Sequence, residues 1–167
     1  MPPVMPQCSR CGMTVVRRSI RQGWIERGLG LLSVNPFRCQ LCANRFFAWE
    51  LGRRYTKVRG NRRDFDRLPA KLDVTVIGGQ VKASGVITEL SLGGCTLEAE
   101  AFYGPGKILQ LEIQLPEDDH SVRVDIAVVR TQRGRTLGIE FLQTEKKQRH
   151  HLRQYVRQLL ADSAVRR

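Results

Sequence analysis

The chain has 167 residues, 41% of them hydrophobic, which suits one ordinary domain or a small stapled module joined to a compact domain, and excludes wholesale disorder. Its formal charge of +12 is uneven: residues 1–70 carry fourteen Lys/Arg against four acids, and residues 71–167 fourteen against twelve. A basic field of this kind attracts phosphates, as nucleic acid, nucleotide or anionic lipid, or serves only as a solvated surface. No apolar run approaches a membrane span, and the opening MPPVMPQCSRCG lacks the apolar stretch of a signal peptide, so a cytoplasmic location is expected.

Residues 1–7 read as a frayed, disordered tail and residues 8–49 as a first unit. Cys8-x-x-Cys11 and Cys39-x-x-Cys42 are two knuckles 27 residues apart. Two residues between thiols place both sulfurs on one side of a tight turn, and two such turns can present four thiolates tetrahedrally, as Zn²⁺ prefers. A reducing compartment favours metal over disulfides. A structural Zn²⁺ on Cys8, Cys11, Cys39 and Cys42 is the expectation; redox disulfide pairs, or iron in the same cage, are the alternatives. So short a unit buries little, so the metal would carry much of its folding free energy. Trp24, Ile25, Leu29, Leu31, Leu32 and Val34 are expected to form its miniature core. Phe46, Phe47 and Trp49 read as packing residues beneath the knuckles, with stacking platforms for a ligand as the alternative. Its arginines suit nucleic acid or a protein partner.

Residues 50–61 read as a basic linker, and the segment to residue 70 as ordered only at its end. Alternating patterns then predict strands at 71–77, 80–90, 95–99, 108–115, 122–130 and 136–142, with Gly85 marking a bend or bulge. Gly78-Gly79, Ser91–Gly94, Gly104–Gly106, Pro116–His120 and Gln132–Gly134 supply the turns. Six short strands without room for a crossover helix predict an antiparallel, closed or nearly closed β-barrel. Thr144 can cap a helix opening at Glu145, whose stripe Leu152, Tyr155, Val156, Leu159 and Leu160 would pack on the barrel or, alternatively, on a partner helix.

Cys95 stands apart from the quartet and reads as a buried free thiol. His120, His150 and His151 have no ligand spacing, and none pairs with a plausible nucleophile. A closed Cys₄ cage leaves no open metal position, so no enzyme activity is expected.

Ahead of the first barrel strand lies Arg62-Arg63-Asp64-Phe65-Asp66-Arg67. Guanidinium groups grip phosphate through two hydrogen bonds, or bond to guanine O6 and N7; the plain alternative is a basic linker paired with Asp64 and Asp66. Arg63-x-x-x-Arg67, followed by Glu89-Leu90-Ser91-Leu92-Gly93-Gly94 and the late Gly138-Ile139-Glu140-Phe141, resembles the signature of the PilZ domain family, bacterial receptors of cyclic di-GMP. The resemblance spans about the last 100 residues and implies a mostly β fold. That fold is a six-stranded antiparallel barrel with a C-terminal helix over 62–162, here preceded by a zinc ribbon.

It further implies that Arg63 and Arg67, assisted by Arg62, hold phosphate and guanine edges. Ser91 would bind phosphate or a base, and Gly94 would leave room for close backbone approach. The acid or amide of the family motif is Glu89 here rather than Asp or Asn, so its acceptor is displaced by about 1.5 Å, one carbon–carbon bond. The expected function is a non-enzymatic cyclic di-GMP receptor and adaptor that alters a ribbon or partner interaction. The alternatives are a PilZ-like protein-binding adaptor without nucleotide, and a nucleic-acid-binding regulator built on the basic ribbon.

Overall fold

The computed structural model describes residues 6–49, 65–116 and 121–165. The chain divides into two compact units, Met1–Asp66 and Arg67–Arg167. The expected linker 50–61, the tip of the 116–120 turn with His120, and both Arg62 and Arg63 lie outside the described residues.

In the first unit, β1 (Val16–Arg18), β2 (Val34–Cys39) and β3 (Arg45–Trp49) form an antiparallel sheet in that order. Helix α1 (Gly23–Leu29) and the 3-10 turn Gly30–Leu32 connect β1 to β2. Phe37 stacks on Phe46 with ring centroids 6.1 Å apart. Met13, Val16, Cys42 and Phe46 pack around the buried Cys8, Cys39 and Leu41. The core thus lies under the knuckles, and the expected core of Trp24, Ile25, Leu31 and Leu32 is not formed: all four are exposed. The reason is which face of α1 turns inward. Glu26, on the opposite face, is held by both terminal nitrogens of Arg45 at 2.7 Å. Phe47 and Trp49 are likewise exposed, so only Phe46 of the three aromatics packs as expected. Pro6, assigned from sequence to the tail, is buried.

The second unit is a closed barrel of β4 (Leu68–Gly78), β5 (Val81–Ser91), β6 (Gly94–Ala99), β7 (Ile108–Gln114), β8 (Ser121–Arg133) and β9 (Thr136–Gln143), in the order β4-β5-β6-β9-β8-β7 and antiparallel throughout. Each predicted strand is present, several longer than its apolar pattern. Alternation fills the interior: Val74 and Val76, Leu111 and Ile113, Val122 and Val124, and Leu137 and Ile139 are buried.

The alternation slips at two places. On β5 the inward residues are Ile87 and Leu90; on β8 they pass from Val124 to Ala127. Both slips coincide with register shifts: Ile87 pairs with Leu97 but Glu89 with Thr96, and Leu111 pairs with Val124 but Leu109 with Ala127. The bulge of β5 therefore falls at Thr88, not at the expected Gly85. Gly85 has a different reason to be glycine, because a Cβ there would lie 2.6 Å from the Glu98 carbonyl oxygen across the ladder.

Helix α2 (Lys146–Val165) packs on β4 and β8, the two strands flanking β7. Leu152 and Val156 are buried, and Gln148 Oε1 accepts a hydrogen bond from the Arg123 amide of β8 at 3.1 Å. The apolar stripe is thus used on the barrel of its own chain. Among the described residues no helix is long and apolar enough to cross a membrane.

Candidate functional site

Two constellations carry chemistry. The first is the cysteine quartet, whose four sulfurs all lie within 4.8 Å of one another. They approach crosswise, Cys8 Sγ 3.5 Å from Cys42 Sγ and Cys11 Sγ 3.6 Å from Cys39 Sγ. A tetrahedral cage with metal–sulfur bonds of about 2.3 Å has sulfur–sulfur edges of about 3.8 Å. The quartet has that size and could hold one metal ion.

Each knuckle is closed by its own backbone. The Gly12 amide donates to the Cys8 carbonyl at 2.8 Å, and the Ala43 amide to the Cys39 carbonyl at 3.2 Å. Both knuckles end on a left-handed residue, Gly12 at φ 71° and Ala43 at φ 61°. The Leu41 amide points at Cys39 Sγ, 3.4 Å away.

The thiols do not share one acidity. Burial raises Cys8, but the amides of Arg10 and Cys11 and the neighbouring thiols of Cys42 and Cys11 outweigh it and bring it down to about 6. Burial, with the thiols of Cys8, Cys11 and Cys39 around it, pushes Cys42 up to about 12. Burial likewise raises Cys39. Four thiolates this close repel one another, and a divalent cation at their centre removes that cost. Cys95 lies elsewhere, buried between β5 and β9 and pushed up to about 12 by burial, against the opposing charge of Arg67.

The second constellation is on the barrel's outer surface. The bulge at Thr88 turns Glu89 outward, and the next strand places Thr96 opposite it. Thr96 Oγ1 donates to Glu89 Oε2 at 2.8 Å and accepts from an Arg67 terminal nitrogen at 2.5 Å. That nitrogen lies 3.9 Å from Glu89 Oε2. The hydroxyl therefore stands between guanidinium and carboxylate and orients both. Arg67 is only 16% exposed while Glu89 is 45% exposed, so the carboxylate is the more accessible of the two. The row continues through Gly138 and Thr131, paired in register with Thr96 across β9 and β8.

Of the residues expected here, Arg67 and Glu89 are brought together. Arg62 and Arg63 are among those not described. Ser91 and Gly94 close the β5–β6 hairpin. The Ser91 hydroxyl is buried and donates to the Gly94 carbonyl at 2.9 Å. The space at Gly94 is taken by β9, since a Cβ there would lie 2.1 Å from the Ile139 carbonyl oxygen. In this structure the hydroxyl serves the hairpin and the missing side chain serves the β6–β9 ladder. Thr96 was missed. Its signal was the broken alternation Ile87–Leu90, which fixes Glu89 outward and makes its cross-strand neighbour part of the site.

The segment entering the barrel has a further set of partners. Across the first unit's sheet, Arg17 pairs with Arg38 and Arg38 with Arg45, a ladder of three arginines on one face. Like charges directly opposite one another are unfavourable unless each is answered. Arg45 has Glu26, Arg17 is ion-paired with Asp66, and Arg38 lies 5.9 Å from the centroid of the Phe65 ring. The Asp66 amide also donates to Gln40 Oε1 at 2.7 Å. Phe65 and Asp66 are two of the three residues between the arginines of Arg63-x-x-x-Arg67.

The PilZ domain family matches residues 61–158, and the chain belongs to that family. Its fold is similar to that of the Bacillus subtilis inhibitor of motility (MotI/DgrA), with 23% identity, a TM-score of 0.52, and coverage of 77% of this chain and 68% of that one. The PilZ domain of CeSA from a cellulose-synthesizing bacterium matches at 17% identity and a TM-score of 0.45, over 59% of this chain and 98% of that one. No curated protein matches the chain.

Proposed function

We propose that the protein is a non-enzymatic receptor and adaptor for cyclic di-GMP, in which Arg62, Arg63 and Arg67 bind the dinucleotide and Glu89 accepts from a guanine edge. Ser91 and Gly94 act by fixing the hairpin that carries Glu89 and Thr96. A structural Zn²⁺ on Cys8, Cys11, Cys39 and Cys42 holds the module that reads the result. Membership of the PilZ family supports the ligand class.

The observation that carries the coupling is the division of labour within one motif. Phe65 and Asp66 dock on Arg38 and Arg17 of the cysteine module, and the next residue, Arg67, docks on Thr96 of the barrel. A dianionic ligand that recruits Arg63 and Arg67 pulls on the same five-residue segment, and the ion pair of Asp66 with Arg17 is the contact that would yield. The ligand need only favour one arrangement of this segment over the other for the change to be felt in the module.

Calorimetric titration of the full chain with cyclic di-GMP tests the receptor reading. Saturable binding is expected, falling by about 10- to 100-fold in Arg67→Ala, the equivalent of one or two charge-assisted hydrogen bonds, with a smaller loss in Glu89→Ala. No heat at high micromolar ligand would end it.

A second reading, a protein-binding adaptor that takes no nucleotide, is favoured by one detail. Glu89, longer than the family's Asp or Asn, already accepts a hydrogen bond from Thr96 and lies near Arg67. The structural relative whose name records inhibition of motility is in keeping with an adaptor. Silence in the titration, with an intact metal site, would shift the account to this reading.

A further inference from the structure

Helix α1 is built inside out. From Gly23 through the 3-10 turn to Leu32 the backbone is one continuous helical run. Trp24, Gly28 and Leu31 fall on one side at i, i+4 and i+7, with Ile25 and Leu32 beside them. That apolar side faces out: Trp24 is 82%, Leu31 89%, Leu32 63% and Ile25 62% exposed. The polar side faces in. Glu26 is tied to Arg45, and the Arg21 guanidinium covers Gly30, where a Cβ would lie 2.3 Å from its central carbon. Arg21 is itself anchored to Asn35 Oδ1 at 2.7 Å. Salt-bridging and hydrogen bonding hold the helix in this inverted sense, so the exposed tryptophan and leucines are a constructed feature of the module.

We propose that this face docks the protein on an anionic lipid surface. The charge around it selects the occupant. Residues 6–49 carry seven arginines and a single acid, Glu26, which is turned inward; of the seven, Arg45 is answered by Glu26 and Arg17 by Asp66, leaving the module strongly cationic. A second copy of so cationic a module would be repelled, whereas anionic headgroups are attracted and polybasic segments near a membrane gain from each basic residue. The size of the face points the same way. A stable protein–protein interface takes about 800 Å² and 20–30 residues from each partner, more than four side chains on two and a half turns supply. A short row of Trp and Leu beside arginines is sufficient for reversible seating at the boundary between headgroups and acyl chains, where tryptophan is favoured.

The test is flotation and tryptophan emission of the full chain with vesicles of phosphatidylcholine containing about one third phosphatidylglycerol, against vesicles of phosphatidylcholine alone. The proposal expects binding to the anionic vesicles only, a blue shift of tryptophan emission that is lost in Trp24→Tyr, and weakening at high salt. A Leu31→Ser/Leu32→Ser variant, whose changes lie on exposed positions and whose metal content serves as the control of folding, should bind about tenfold or more weakly. Equal binding by that variant would overturn the proposal, since arginines alone would then account for it. So would absence of binding to anionic vesicles, or a parent chain that is a dimer whose dissociation follows Leu31→Ser/Leu32→Ser.

Discussion

Arg67 and Ala43 show how single residues bear on the two constellations. Arg67 is held in place: its guanidinium donates to a threonine hydroxyl that in turn donates to the carboxylate of Glu89, so both charges are fixed in position. Ala43 has the opposite character. It adopts φ 61° at the close of the second knuckle, where the first knuckle has Gly12. A Cβ in that conformation costs roughly 1–2 kcal/mol, partly offset by the greater freedom of glycine in the unfolded chain. Ala43→Gly should therefore stabilise the cysteine module by about 1 kcal/mol, visible as a higher unfolding midpoint and tighter retention of metal in competition with a chelator. The cysteines were legible because their spacing is itself the chemistry. Thr96 was not, because nothing in a run of Thr, Leu and Glu says which hydroxyl will face a carboxylate until the register of two strands is known.

At the scale of elements, the barrel was written in its alternation and its glycine turns. What escaped was wherever alternation breaks. The slip from Ile87 to Leu90 reads as noise in a single strand, yet it is the bulge that aims Glu89 at solvent. Helix α1 escaped for a related reason. Its apolar residues looked like core because periodicity reports a face and not the direction in which it points; the direction is set by Glu26 meeting Arg45 from a strand nineteen residues on. Helix α2 was legible because its stripe is long and finds the barrel. Leu152 is buried between α2 and the strands. Leu152→Ala should cost about 2–5 kcal/mol of barrel stability, measured by denaturant unfolding, while leaving the metal content unchanged.

At the scale of the whole molecule, the two units draw on different sources of stability. The barrel has a continuous aliphatic interior closed on itself. The cysteine module has only a small core around Cys8, Phe37, Cys39 and Leu41, so a metal ion held by the quartet would supply much of its stability. Stripping the metal with a strong chelator, or protonating the thiolates that bind it, should unfold the first unit and leave the barrel's thermal transition within a few degrees of its original position. A barrel that melts with the module would mean that the two are a single folding unit. Metal removal should also take away the platform that Arg17, Arg38 and Gln40 offer to Phe65 and Asp66, and so alter how the motif segment responds to ligand.

If the proposed function holds, a ligand on the arginine motif should be sensed in the cysteine module through Phe65 and Asp66. Hydrogen exchange of the full chain with and without saturating cyclic di-GMP tests it most directly. Altered exchange is expected at residues 89–96 of the barrel and, in the same experiment, at residues 16–18 and 37–40 of the module. A change confined to the barrel would contradict the coupling, and no change in either region would contradict the receptor itself.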